Sequence, residues 1–503
     1  MKRTLAFLLA VLLCGSLAAC GRDPSVSSTE SAASSPGTTA MDESTISTES
    51  TDPAQVVSTV TTASNAVSPK NTTTTRTAKT TKTQKPSSNQ KDPNEIDTNK
   101  GEAINNVTLP PLKVQGKTVE LLTWDSPESE ASKKMIADYK KAYGATLKMT
   151  NADWGSMQSV LNSRVMAENP PDVVQVRSAD YYTYQLSGIL QDISGKIDYS
   201  TPLWKGAKGM SDSLKIFDKQ YIAPYNSYVG LYIWYNKSIM LDNGIMDTPD
   251  KLYEQGKWTV SAMRSLAKEL TVRDGENITQ YGLGSNYGSL ANCLEVARGA
   301  KEVKFEKKKF TSNMNDPALA DVYNMMYDLY AVDKCMAPID QHTNLFAKSR
   351  CAMLVEGSWL TQQRSFKALK QKGTIAMVPF PKWDGQPEYQ LAEMQCLGIP
   401  RGAKNTDLGM SVIHFSRQLA IDANKLKESE EFSKETYFMT DKELKYQTEA
   451  ASKGVIGSWV GIPNSPSYLM AMTVAYGNAW SVALEKYGPE MQKAVDELNA
   501  MFK

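Results

Sequence analysis

Apolar positions fall along this chain in three regimes. The first is a continuous run from Leu5 to Leu13, preceded by Lys2 and Arg3. The second, from Gly21 to Leu112, has almost nothing to bury. The third begins near residue 113, where short apolar runs alternate with stretches of helical period. Thr118 to Thr123 (TVELLT) predicts a strand. Ser126-Pro127-Glu128 then offers an N-cap, a proline suited to a first turn and an acid at the positive helix end. Met135, Tyr139, Ala142 and Tyr143 share one helical face, and Gly144 is placed to stop that helix in a left-handed conformation. A strand at 146–150, a helix over 156–168 and a strand at 172–176 complete a βαβ repeat, which predicts a parallel sheet with helices on its faces.

The alternation continues. Residues 221–236 (YIAPYNSYVGLYIWYN) hold six aromatics and a strand that starts after Asn226, and further strands are expected at 281–285, 352–355 and 374–378. Helical stretches separate them at 260–270 and 319–330, and another follows at 409–419. This is enough for two α/β lobes. In such sheets ligands lie off the carboxyl ends of the strands. Those ends are Trp124-Asp125, Asn151 to Trp154 and Arg177 to Tyr182, each pairing an aromatic with polar groups.

Composition sharpens the middle regime. Of the 43 aromatics among 503 residues, Phe7 alone precedes Trp124, and 32 of the 80 residues from Gly21 to Lys100 are Ser or Thr. Such a stretch cannot offset its chain entropy by packing and reads as a tether with an r.m.s. span of about 50 Å. Six basic and no acidic residues lie between Lys70 and Lys91, a solubilising segment or one drawn to anionic wall polymers. The net charge of +1 argues against a nucleic-acid footprint.

The first apolar run is shorter than the roughly 20 residues a spanning helix needs and fits a signal-peptide core. Leu17-Ala18-Ala19-Cys20 resembles the bacterial lipoprotein box. The resemblance implies a signal peptide over 1–19, a diacylglycerol on Cys20 and attachment to the extracytoplasmic face of a cell membrane, as on a Gram-positive surface.

Catalytic signatures are sparse. Cys293, Cys335, Cys351 and Cys396 contain no C-x-x-C pair, and buried free thiols are the expected state. His342 and His414 are the only histidines, and H-E-x-x-H, G-x-S-x-G and the P-loop pattern are all missing from the sequence. No metal or cofactor is expected. Acidic residues are plentiful, so composition leaves a two-carboxylate glycosidase open.

The order of motifs in the third regime is similar to the extracytoplasmic solute-binding protein family 1, the sugar-binding lipoproteins of ABC importers. The matching pieces are Asn169-Pro170-Pro171-Asp172-Val173-Val174, then Leu186 to Ile193, Tyr221 to Tyr225 with Tyr232 to Lys237, Trp258-Thr259, Phe346 to Trp359 and Val378-Pro379-Phe380-Pro381. They span about residues 117 to 480 and follow the lipoprotein box. The resemblance implies a two-lobed, type II periplasmic-binding-protein-like α/β fold with a hinge and an inter-lobe cleft. Residues 20–112 would be the lipidated tether, 113–226 plus about 395–440 lobe one, and 227–394 plus about 441–503 lobe two. Crossovers are expected near Tyr225 to Gly230 and Leu391 to Gly398, with the bending placed at Asn226 to Tyr228.

A pyranose has an apolar face and a rim of hydroxyls, so aromatic plates beside polar groups would serve it. Lobe one would supply Trp124, Asp125, Trp154, Asp180 and Tyr181, the hinge Tyr225 and Asn226, and lobe two Asn286, Tyr287, Glu356, Ser358, Trp359 and Trp383, with Trp459 a further candidate. Trp359 is the foremost, because the family's Gly-x-Trp segment commonly presents a stacking ring. On this reading Trp359→Ala weakens binding and leaves the melting of ligand-free protein unchanged. Glu356 would accept hydroxyls or select a cation. The implied protein is a monomeric, non-enzymatic receptor for a sugar or oligosaccharide that hands its ligand to ABC permease subunits. Other readings are a surface carbohydrate receptor without an importer, a binder of polyamine or peptide, and a secreted glycosidase.

Overall fold

A computed structural model describes Thr98 and residues 100–501, apart from 178–179, 217, 307–308, 459–461 and 463–464. The signal segment, Cys20 and the basic tether stretch lie outside the described residues, as does Trp459. In chain order the strands are β1 (Thr118–Thr123), β2 (Thr146–Asn151), β3 (Val173–Val176), β4 (Ile222–Val229), β5 (Leu231–Asn236), β6 (Val272–Asp274), β7 (Asn277–Gly284), β8 (Val303–Glu306), β9 (Lys309–Ser312), β10 (Cys351–Gly357), β11 (Ile375–Pro379), β12 (Gln390–Gly398) and β13 (Gly454–Val455).

They form two main sheets. The first runs β13-β12-β3-β1-β2, with β4 also paired to β12. β1 is parallel to β2 and β3, whereas β12 is antiparallel to β3 and β4. The second runs β11-β5-β10-β7-β6, in which β10 and β7 are parallel and β5 is antiparallel to both its neighbours. β8 and β9 form a separate hairpin. Each sheet has its own core. Leu122, Tyr139, Trp204, Ile399 and Ile413 belong to the first. Ile233, Trp258, Leu290, Val355 and Leu498 belong to the second, whose other face packs Trp234, Phe346 and Phe366. This is the two-lobed α/β architecture that the motif order implies.

Local chemistry accounts for the element ends. The helix Glu130–Tyr143 is capped by Ser129, whose hydroxyl accepts from the Ser132 amide, so the cap lies three residues beyond Ser126. Gly144 ends it at φ +64°, a conformation open to glycine without a Cβ clash. Packing also starts upstream of residue 113, where the sequence suggests tether. Val107 is buried in the first core, and Ile104 exchanges backbone hydrogen bonds with Ile421 and Ala423. No described helix is long and apolar enough to cross a membrane.

The sheets are joined through β4 and β12. β4 ends at Val229 in the first sheet and β5 begins at Leu231 in the second, leaving Gly230 between them. The Gly230 amide donates to the Leu391 carbonyl, so the outgoing and returning strands are bonded at the crossing itself. Asn226, Ser227 and Tyr228 are held in the ladder opposite Gln395, Met394 and Glu393. The residues expected to bend, Asn226 to Tyr228, are thus ladder residues.

Candidate functional site

The parallel strands β1, β2 and β3 deliver three loops to one edge of lobe one. Trp124 follows β1 and Trp154 follows β2, and their rings meet edge to face with centroids 4.6 Å apart. Both indoles are half-buried. Arg177, just after β3, lies 5.5 Å above the Trp154 ring and donates to the Trp154 carbonyl. Asp180 fixes the guanidinium by accepting from Nε at 2.5 Å and from Nη2 at 2.9 Å. Two crossed aromatic plates are thus pinned beside an ion pair. Arg177 was not among the residues nominated from the sequence. Its spacing of three from Asp180 was the available signal.

Asp125 sits beneath this edge with no cation among its perturbing neighbours. Burial pushes its carboxyl up to about 7, against hydrogen bonds from Thr123 and Gln175. Tyr225 is buried in the lobe-one core. Tyr181 is also buried, and its hydroxyl donates to the Met394 carbonyl in β12. Asn226 donates to Gln395 Oε1 at 2.9 Å. These three nominated residues brace the hinge ladder. Beside them Tyr228 donates to Glu393 Oε2 at 2.8 Å.

On lobe two, β7 and β10 run parallel and end at Gly284 and Gly357. Asn286 is the N-cap of helix Tyr287–Arg298, and its side chain accepts from the Gly288 and Ser289 amides. Tyr287 contacts the rings of Tyr330, Tyr468 and Tyr476 at 5.4, 6.3 and 5.9 Å. Tyr468 and Tyr476 are 44% and 69% exposed, making a tyrosine surface that sequence reasoning missed. Glu356 accepts the Gly357 amide at 3.0 Å and lies 4.0 Å from His342 Nε2. Burial raises the Glu356 carboxyl to about 7 and lowers the His342 pKa, so the pair lacks a strong charge.

The remaining nominations are placed differently. Trp359 is 8% exposed within the lobe-two core, its ring against Gly357, where a Cβ would come within 2.1 Å of it. Ser358 lines a cavity behind the hinge. Trp383 packs on the lobe-two core under Arg298, whose guanidinium is 5.8 Å from the ring. All four cysteines of the described region are free and buried. Among the described residues no group of three or more His, Cys, Asp or Glu is arranged to hold a metal.

The lobes touch. Tyr182 and Leu186, one turn apart on helix Tyr181–Leu186, pack against the lobe-two core. Tyr182 meets Phe310 of β9 edge to face at 5.0 Å. Asn499 holds Phe310 by bonding both its amide and its carbonyl, at 2.9 and 2.8 Å.

The two raised carboxyls make a signed prediction. Between about pH 4 and 7 the folded protein retains protons that the unfolded chain has released. The stability they confer is full at acid pH and is lost as pH rises through about 7. Urea midpoints across this range should fall with pH, and Asp125→Asn with Glu356→Gln should flatten that slope. An unchanged slope in the double variant would remove both groups from the titration.

Comparison with known proteins bears on the family and the fold. A family model described as bacterial extracellular solute-binding protein matches residues 134–424, more than half of the chain. The diacetylchitobiose binding protein DasA of Streptomyces coelicolor is 27% identical over 306 residues, which cover 58% of this chain and 66% of that protein. The alignment therefore spans slightly less than two thirds of the relative's length. Among solved structures, the sugar-binding protein MalE of Xanthomonas citri superposes with a TM-score of 0.61 at 14% identity, covering 76% of this chain and 99% of its own. The GacH receptor of Streptomyces glaucescens, determined unliganded and with acarbose, gives 0.57 at 18% identity, covering 76% and 98%. At these identities the structures establish the fold, a two-lobed binding-protein fold.

Proposed function

Because this chain belongs to the bacterial extracellular solute-binding protein family, we propose that it captures a sugar or oligosaccharide by closing its two lobes and delivers it to the permease of an ABC importer. The observation that carries this reading is the crossed Trp124–Trp154 pair fixed beside Arg177 and Asp180. A half-buried indole can take the C–H face of a pyranose, while the guanidinium and carboxylate offer a donor and an acceptor to its hydroxyls. Tyr287, Tyr468 and Tyr476 would meet the ligand from lobe two. Relatives support the class: one binds diacetylchitobiose and one fold neighbour was determined with acarbose.

On this reading the protein is a monomeric receptor, not an enzyme. Acyl chains on Cys20 hold it at the extracytoplasmic face, each buried methylene contributing about 0.8 kcal/mol. The tether gives the lobes reach. Asp125 and Glu356, neither of which has a lysine or arginine partner among the described residues, favour a second reading in which the solute is a polyamine.

A thermal-shift screen of mono- and oligosaccharides, spermidine and peptides separates the two. Stabilisation by a saccharide supports the proposal, since a ligand of the folded form raises stability by mass action. Stabilisation by spermidine alone sinks it. Trp154→Ala should weaken saccharide binding about 30-fold, the equivalent of roughly 2 kcal/mol for a buried aromatic anchor. The backbone carbonyl used by Arg177 survives this substitution, so the ligand-free melting temperature should barely move. Calorimetric titration showing undiminished affinity would remove Trp154 from the site.

A further inference from the structure

Behind the hinge lies a cavity of about 450 Å³ that shares only Ser358 with the residues nominated for the front site. Both lobes build it. Leu426 and Ser429 come from helix Ala423–Tyr437, Thr361 from the 3-10 segment Ser358–Gln362, Leu444 from helix Asp441–Ala451, and Ser227 and Val229 from β4. Strand alternation puts these two β4 side chains on the face opposite Asn226. Lys100 closes the wall.

Lys100 is half-buried, and no carboxylate among the described residues offsets its charge. Its strongest charged neighbour is another cation, Arg417, which is 1% exposed. Arg417 spends its nitrogens on backbone carbonyls, those of Leu203 at 3.0 Å, Tyr225 at 2.9 Å and Lys100 at 2.5 Å. Positive groups withdrawn from water are normally paired with acids, because an uncompensated buried charge is costly. Here the two are neighbours, and Lys100 is the one Lys or Arg lining a cavity of apolar and hydroxyl-bearing residues, whose single carboxylate, on the exposed Glu430, is not among the groups that perturb Lys100.

We propose that this cavity is a second binding site, for a small amphipathic carboxylate whose head meets Lys100 and whose body lies on Val229, Leu426 and Leu444. A wall with one lysine suits a monoanion. The site is tied to the front one by sequence: the 3-10 segment that supplies Thr361 follows Glu356 and Gly357 directly. The cavity also has its shape in the lobe arrangement that brings Tyr182 onto Phe310. A molecule that fits it favours that arrangement over an open one, and so couples to closure.

Octanoate titrated into the full chain at pH 7.5, with 1-octanol as the uncharged control, tests the proposal. One saturable octanoate per chain is expected, with octanol weaker by about tenfold or more, the least that a charge-assisted contact contributes. Lys100→Gln keeps the carbonyl that Arg417 uses and should bring octanoate down to the octanol level. Ala451→Trp, which fills the cavity without touching the charge, should abolish binding of both. Saturating octanoate should also reduce the radius of gyration measured by small-angle scattering. Equal affinity for octanol, several octanoates per chain, or indifference to both variants would overturn the site, and an unchanged radius would overturn its coupling to closure. None of these outcomes depends on which solute the front cleft takes.

Discussion

Glu443→Ala should cost the protein about 3–5 kcal/mol of folding stability, the usual consequence of leaving one member of a buried ion pair alone. Glu443 and Lys370 side chains are each 3% exposed, and both carboxylate oxygens lie 2.5 Å from the Lys370 ammonium. The same carboxylate accepts the Met377 amide of β11 at 3.0 Å and the Thr440 amide at 2.9 Å, completing a capping box for helix Asp441–Ala451. One side chain thus joins two helices to the edge strand of the second sheet. Urea denaturation followed by tryptophan fluorescence measures the loss. Lys370→Met combined with Glu443→Leu should recover most of it, short of the cap contribution of about 1 kcal/mol. A single variant that loses less than about 1 kcal/mol would show that the pair contributes no more than an exposed one.

Trp359→Ala is the second large effect, about 3–5 kcal/mol for deleting a buried indole. The ring lies against Gly357 inside the lobe-two core, so its removal leaves a cavity there. The melting temperature of ligand-free protein should therefore fall sharply, the reverse of the expectation drawn from the Gly-x-Trp resemblance. Gly357→Ala should reproduce part of the loss, because its Cβ would occupy the place of the indole. A normal melting temperature with weakened saccharide binding would restore Trp359 to the ligand site.

These outcomes mark what could be read from residues alone. Period and capping chemistry are local, and so β1, β2, β3 and the stop at Gly144 were legible. The two-lobed plan followed from their repetition. The partners of individual side chains are non-local, and there the reading diverged. Asn286 resembles a sugar-binding amide until the helix it caps is seen, and Tyr181 resembles a stacking ring until its hydroxyl is found on the Met394 carbonyl. Trp124, Asp125, Trp154 and Asp180 lie close after strand ends, as read from the sequence, because a strand end is a topological position that a sequence can mark. Arg177 was not nominated although its spacing of three from Asp180 hinted at the ion pair, and nothing in the spacing of Tyr468 and Tyr476 sets them apart from ordinary surface residues.

The antiparallel pairing of β12 with β3 and β4 also sets an order of assembly. Asn226 is bonded to Gln395, 169 residues further along the chain. As the polypeptide emerges from its N-terminus, β1 to β4 appear early, yet the strand that joins β3 to β4 arrives only after all five strands of the second sheet. Until then β3 keeps an open edge able to pair with another chain. Lobe one is the first to be started, yet it cannot finish folding until β12 has emerged. Its early half has to be kept from aggregating while lobe two is made. A truncation ending before Gln390 should accordingly yield no folded lobe of either kind.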